Sequence, residues 1–411
     1  MAYELGIDLN KNNALISVAV PGESEPVTLS MTEDENAYVI PYSMARLNDG
    51  RWEIGLRAAN AEDDVDIRID DVLERALFGK SVAMDARKAP ASELLGIFLQ
   101  NICAYARVRY GFDVSDRAVI TVPVVDGRML ALFDEIKGVL PANDVLIRDH
   151  KETFASYVMA QSPGLYEKAV FLYDFDGKDM TNLIMTRDTK FRPVVVKVKE
   201  DVNKGFGERI INVKKNSTQL DMDFSQMLKE DFEYMDASTV FLTGDGFESK
   251  WAKDSIQIIC RGRRAFGGQN LFSKGACYLA KEIDKQDKSY VYLGESKTKA
   301  NVCLEINENG KSGLLDLLSA GENWYETGAT HRIVMGEGDE LRILLVSPDM
   351  KHKDERTLTL SNLPKRPEGA ASLLISARAL AEDTYVLTIK DLGFGELFPS
   401  SGKEWDYKIT L

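Results

Sequence analysis

The hydrophobic positions of roughly the first 280 residues alternate between strand-like and helix-like patterns. Short apolar runs at residues 3–9 and 14–20 are separated by the polar turn 10–13, which predicts a β-hairpin because asparagine tolerates tight turns. Leucine and aromatic side chains recur at helical spacing over residues 92–110, and the pattern stops at Gly111. Repeated alternation of this kind predicts an α/β layered architecture.

From residue 290 onward the pattern changes to short alternating segments with polar turns between them. Segments of this kind are typical of an antiparallel β-sandwich, and they lie at residues 302–306, 330–335, 341–346, 357–360, 372–376, 385–389 and 405–409. A charged stretch precedes the change at residues 281–289. We therefore predict an α/β domain at residues 1–287 and a β-sandwich domain at residues 288–411.

Two predicted hairpins of the first domain carry an aspartate at matching places. Asp8 lies near the end of the first strand and Asp174 near the end of the strand at residues 169–174, and each strand runs into a tight polar turn. Backbone N–H groups in such turns bind phosphate oxygens, and carboxylates hold Mg²⁺ through water. The repeat predicts a nucleotide cleft, although aspartate is also common at strand ends for purely structural reasons.

Composition narrows the class of protein. The 411 residues carry a formal charge of −14, which would repel a nucleic-acid backbone or an anionic membrane surface. Four well-separated cysteines indicate the reduced thiols of a cytoplasmic protein. The histidines His150, His331 and His352 lie among polar residues, and we expect neither a metal site nor a catalytic base from them.

Six short motifs follow one another along the chain, at residues 6–9, 119–123, 152–155, 173–177, 241–246 and 275–277. Their order resembles the actin-like ATPase superfamily, and within it the DnaK-type heat-shock chaperones. The C-terminal segments follow the order of that family's peptide-binding β-sandwich. The resemblance implies an actin-like, two-lobed nucleotide-binding fold followed by a β-sandwich domain that binds a protein or peptide.

The resemblance also implies a role for particular residues. Asp8 and Asp174 would hold Mg²⁺ through water, Glu152 would position the attacking water, and Pro123 would be a hinge. Asp8, Glu152 and Asp174 would be the catalytic residues of a retained ATPase. The residues expected to bind ATP or ADP are Gly6, Asn10, Lys11, Asn12, Asp176, Gly177, Lys178, Gly244, Asp245 and Gly246.

The chain departs from the family's pattern where phosphates would bind. Both phosphate loops carry longer or charged side chains, Asn10-Lys11-Asn12 and Asp176-Gly177-Lys178-Asp179, where the family has small residues and glycines. Ala59 stands where the family has its catalytic lysine, and Arg57 is nearby. The short distance along the chain between Asp174 and Gly244 implies a reduced second lobe, and we expect no helical lid after the sandwich.

These departures favour a chaperone-like protein with a degenerate ATP site, at most weakly active, that binds a protein or peptide and neither nucleic acid nor membrane. Two alternatives stay open, an active ATP-dependent chaperone and a non-catalytic scaffold component of an assembly. The segment 288–293 has a strand pattern. It would either extend an edge of the first domain or form the first strand of the sandwich, and we favour the second interpretation.

Overall fold

The chain divides into two compact units, Met1–Tyr290 and Val291–Leu411. The computed structural model describes residues 3–31, 37–62, 64–84, 87–208, 213–249, 251–285, 287–308, 310–347 and 353–411. His352, one of the histidines considered above, lies outside these described residues. Within them, no helix is both long and apolar enough to cross a membrane.

Strands and helices alternate along much of the first unit. The strands are β1 (Glu4–Leu9), β2 (Asn13–Ala19), β3 (Val27–Thr28), β4 (Ile40–Pro41), β5 (Met44–Leu47), β6 (Trp52–Ile54), β7 (Val65–Ile69), β8 (Ser81–Met84), β9 (Arg87–Pro90), β10 (Ser115–Val122), β11 (Ala142–Asp149), β12 (Ala169–Phe175), β13 (Met180–Asp188), β14 (Val194–Asn203), β15 (Ala237–Thr243), β16 (Arg264–Gly267) and, across the unit boundary, β17 (Tyr290–Tyr292). The helices are α1 (Leu56–Ala59), α2 (Val72–Leu77), α3 (Ala91–Tyr110), α4 (Gly127–Ile136), α5 (His150–Met159), α6 (Val213–Tyr234), α7 (Lys253–Ile259) and α8 (Leu271–Glu282).

Two sheets of the first unit repeat one topology. The first has the strand order β11-β10-β1-β2-β3, and the second has the order β16-β15-β12-β13-β14. In each sheet the central strand is antiparallel to the strand that follows it in the chain and parallel to the strand on its other side. The hairpin turns after β1 and β12 therefore hold equivalent positions in the two sheets. The prediction of a mixed α/β first unit is confirmed.

Helix α8 packs closely against β1 and α5, and two glycines permit this approach. A Cβ atom at Gly6 would lie 2.0 Å from the carbonyl oxygen of Ser273, and one at Gly275 would lie 2.1 Å from that of Thr153. Any side chain at either position would force the helix outward. Gly6, which the resemblance assigns to the first phosphate loop, is thus a residue of helix–sheet packing.

Helix α6 is the main element between β14 and β15. Its side chains Phe224 and Leu228 are fully buried in one hydrophobic cluster with Tyr173 and Phe175 of β12. The described residues of this connection add a helical layer to the second sheet and no further sheet.

The segment at the end of the first unit is bound to that unit. The backbone N–H of Val194, the first residue of β14, donates to the carbonyl oxygen of Ser289 at 3.2 Å, and neither sheet of the second unit includes β17. The hydroxyl of Tyr290 lies 2.9 Å from Oγ of Ser156 on α5, which holds the start of the strand in place. The favoured prediction, that residues 288–293 form the first strand of the sandwich, is therefore wrong. An alternating pattern fits any open sheet edge, so the pattern alone does not choose the sheet.

The second unit is a β-sandwich. Its strands are β18 (Asn301–Glu308), β19 (Lys311–Leu318), β20 (Gly328–Val334), β21 (Glu340–Val346), β22 (Lys353–Thr359), β23 (Ser372–Ala381), β24 (Thr384–Gly393) and β25 (Glu404–Thr410). The sheets β19-β18-β21-β22 and β20-β23-β24-β25 share one core, in which Leu304, Ile343, Leu373 and Leu387 are buried. The sequence pattern does not predict strand β19, because Gly313 and consecutive leucines interrupt the alternation of polar and apolar side chains.

Candidate functional site

The two equivalent hairpin turns line one cleft in the first unit, with a volume of about 260 Å³. Nine of the residues predicted from the sequence contribute to its wall: Asp8, Asn10, Lys11, Asn12, Pro123, Asp174, Asp176, Gly244 and Asp245. Five other predicted residues lie outside the wall: Gly6, Glu152, Gly177, Lys178 and Gly246. Residues of both hairpin turns therefore line one common cleft.

The first turn uses its backbone N–H groups internally. The N–H groups of Asn12 and Asn13 both donate to Oδ1 of Asn10, each at 2.9 Å. The side-chain amide of Asn10 in turn donates to Oδ1 of Asn13 at 2.7 Å. The donors that would be needed by a phosphate group are thus bound to a side chain of the same turn.

The second turn repeats this arrangement with a carboxylate. The N–H groups of Lys178 and Asp179 donate to Oδ1 of Asp176 at 2.8 and 2.7 Å. Partial burial of Asp176 raises its pKa, but these two hydrogen bonds and the ammonium of Lys11 lower it by more. The pKa of Asp176 is therefore below the usual value for an aspartate. Asp176 therefore stays ionised at neutral pH.

An ion pair joins the two turns across the cleft. Nζ of Lys11 lies 3.0 Å from Oδ2 of Asp176, although 165 positions separate them in the sequence. The Lys11 side chain is 63% exposed and that of Asp176 is 25% exposed. Lys11, which the sequence offers as a phosphate ligand, is therefore held by a carboxylate of the opposite turn.

His150, from which the sequence predicts neither a metal site nor a catalytic base, lies in the wall of the cleft. Nε2 of His150 lies 2.8 Å from Oδ1 of Asp8, and both side chains are buried. The imidazole stacks on Phe272 with ring centroids 3.8 Å apart. His150 directly follows β11, and the carboxyl ends of parallel β10 and β11 meet at the same sheet edge as Asp8. Its position after a parallel strand was the signal in the sequence that could have identified it.

The carboxyl group of Asp174 has a raised pKa. Burial raises its pKa to about 6, and the charges of Asp8, Asp176 and Asp245 add to the effect, while His150 opposes it. Gly244 lies against this carboxylate, since a Cβ atom there would be 2.5 Å from Oδ1 of Asp174. A glycine is thus required at position 244 by its neighbours Asp174 and Phe175 on β12.

Asp245 lines the same cleft as the first turn. Burial raises its pKa, and hydrogen bonds from the side chains of Asn12 and Asn13 partly offset this. Gln269 also donates to Oδ1 of Asp245 at 3.3 Å. Asp245 is therefore a partly buried carboxylate that faces polar side chains of the first turn.

The other residues implied by the resemblance have different surroundings. Glu152 is buried at the start of α5, with Oε2 3.7 Å from Nε of Arg148. Gly246 packs on the ring of Phe175, where a Cβ atom would be 2.3 Å away. Nζ of Lys178 pairs with Glu208 at 2.9 Å. Arg57 lines a separate surface groove.

The cleft, in this conformation, does not fit a magnesium–triphosphate group. Four backbone donors of its turns are already bound to Asn10 and Asp176, and the one lysine of the turns that enters its wall is paired. Its carboxylates outnumber its cations, which disfavours an anion unless a metal intervenes. Across the described residues, no three His, Cys, Asp or Glu side chains converge as metal ligands.

Family comparison agrees with the division into two units. Residues 25–295 match the C-terminal region of a family of unknown function, DUF5716, and residues 297–411 match a domain of unknown function, DUF8552. Because the first match covers more than half of the chain, the protein belongs to the DUF5716 family.

Proposed function

We propose that the protein is chaperone-like, with a degenerate ATP cleft of the actin-like type, and binds a protein or peptide partner through its β-sandwich. The repeated strand order of the two sheets supports the actin-like part of this proposal, because such a fold consists of two similar lobes around a cleft. The β-sandwich that follows supports the chaperone-like part. Fold alone leaves the activity open, so the site carries the argument.

The observation that carries the proposal is the internal use of the turn donors. Phosphoryl transfer depends on positioning and on stabilisation of negative charge. Here Asn10 and Asp176 accept the N–H groups that would do this, and Asp176 adds a negative charge where the phosphates would lie. A cleft organised in this way binds Mg²⁺-ATP weakly or not at all.

An active ATP-dependent chaperone is the second candidate. It is favoured by one specific observation, that Asp8, Asp174 and Pro123 all line the cleft as the resemblance implies.

Thermal unfolding with millimolar Mg²⁺-ATP or Mg²⁺-ADP distinguishes the two candidates. We expect no shift in Tm. A ligand present at a hundred times its Kd would instead stabilise the protein by about 2.7 kcal/mol, which is a shift of a few degrees. A clear shift that Asp8→Asn abolishes would contradict the degenerate cleft and favour the ATPase.

Binding of a permanently unfolded, fluorescently labelled polypeptide tests the partner. We expect binding by the full chain that Mg²⁺-ATP does not change, with hydrogen-exchange protection within residues 297–411. Release of the polypeptide by Mg²⁺-ATP would favour the active chaperone. Absence of binding would contradict the chaperone-like part of the proposal.

A further inference from the structure

Both turns of the cleft contain the same pattern of internal hydrogen bonds. In each, one side-chain oxygen accepts two successive backbone N–H groups: Oδ1 of Asn10 in the first turn and Oδ1 of Asp176 in the second. The two turns lie at equivalent positions of the two sheets. In each turn, two backbone N–H donors are therefore already bound to a side chain of that turn.

We propose that the cleft is an autoinhibited site for a diphosphate-bearing anion, with Asp176 as the main inhibitory group. The proposal rests on the proposed function, and it specifies both the ligand class and what excludes the ligand. Two facing turns match two linked phosphate groups, one for each pair of N–H donors. Asp176 blocks one pair, repels the anion by its charge and holds Lys11.

A single substitution can remove the hydrogen bonds and the ion pair that Asp176 makes. Lys11 is mostly exposed, and exposed ion pairs contribute little to stability. Both turns are short, and the positive φ of Gly177, at 91°, shapes the second one independently of Asp176. Removing the Asp176 side chain should therefore free two N–H donors and one ammonium without unfolding the strands on either side.

Isothermal titration with Mg²⁺-pyrophosphate tests the proposal on the full chain. We expect wild type to bind weakly, with a Kd no tighter than the millimolar range, and the variants are compared with that limit. Asp176→Asn, which keeps the turn and releases Lys11, should bind on the order of tenfold more tightly than wild type. Asp176→Gly, which also frees the N–H donors, should bind on the order of a hundredfold more tightly. Adding Lys11→Ala to Asp176→Gly should cancel most of this gain.

Glu208→Gln is the matched control, because it removes one carboxylate from the same loop region by breaking only the exposed pair with Lys178. It should bind like wild type, and an equal gain would overturn the proposal by attributing binding to net charge. Circular dichroism establishes that each variant is folded. If Asp176→Gly does not fold, Asp176→Asn still decides, because it is nearly isosteric with the native residue.

The outcomes separate this proposal from the proposed function. Equally weak binding by wild type and the folded Asp176 variants would overturn autoinhibition and leave the degenerate cleft intact. Tight binding by wild type would overturn both. Binding of pyrophosphate and ADP in the same variant order would support a site for the diphosphate itself.

Discussion

Replacing Asp391 with alanine should destabilise the C-terminal unit by about 3–5 kcal/mol, the usual cost of leaving a buried charge without its partner. Asp391 is fully buried and accepts two bonds from Arg366, each at 2.7 Å, and the Arg366 side chain is only 5% exposed. The same carboxylate accepts the N–H groups of Gly393 and Ser401. The variant would leave the buried guanidinium without its carboxylate, with the Pro399 carbonyl as a remaining acceptor, and would leave two backbone donors unpaired.

Denaturant unfolding of the full chain, followed by hydrogen exchange in residues 297–411, measures this effect. The control is Lys390→Ala, which removes a neighbouring exposed pair, Lys390 with Glu404 at 2.9 Å, and should cost at most about 1 kcal/mol. Arg366 also holds the pKa of Asp391 well below its usual range, so the pair should persist at pH 4. A similar small loss in both variants would contradict the role assigned to the buried pair.

Replacing Asp174 with asparagine should stabilise the protein at pH 8, on the order of 2–3 kcal/mol. Folding raises the pKa of this carboxyl from its usual value of 3.8 to about 6, chiefly because the group is buried. Above pH 6 the native state therefore carries a charge that is less favourable than in the unfolded chain. Asparagine removes that cost and keeps nearly the same shape.

The raised pKa of Asp174 determines how the stabilisation by Asp174→Asn should change with pH. Between about pH 4 and 6 the native state binds a proton at Asp174 that the unfolded state does not, so wild-type stability rises as the pH falls. The advantage of Asp174→Asn should therefore shrink from pH 8 to pH 4.5, measured as free energies of unfolding. The control is Asp134→Asn, which removes an exposed carboxylate and should change the free energy of unfolding at pH 8 by at most about 1 kcal/mol. A constant difference between wild type and Asp174→Asn would contradict the raised pKa.

Much of the cleft was predictable because its parts are local. An apolar strand, an aspartate and a polar turn are neighbours in the chain, and the duplication of this pattern marked Asp8 and Asp174 as members of one site. His150 escaped because its relation to Asp8 depends on parallel pairing between strands that are far apart in the sequence.

The boundary segment shows the same limit. The alternation in residues 288–293 correctly predicted a strand, β17, but neither sheet of the sandwich includes this strand. Strand formation depends on the period of the side chains, whereas the choice of partner depends on which edge is open in the folded chain.

Periodicity and turn chemistry were sufficient to predict the α/β unit, the β-rich unit and the two acidic hairpins, because their strands, helices and turns are each encoded by residues that are close in the chain. The ion pair between the two hairpin turns was decided by folding. Lys11 and Asp176 meet only after two sheets with the same topology bring their turns together. Charge pairing between such distant residues leaves no periodic trace in the chain, since its energy arises only once the cleft has formed.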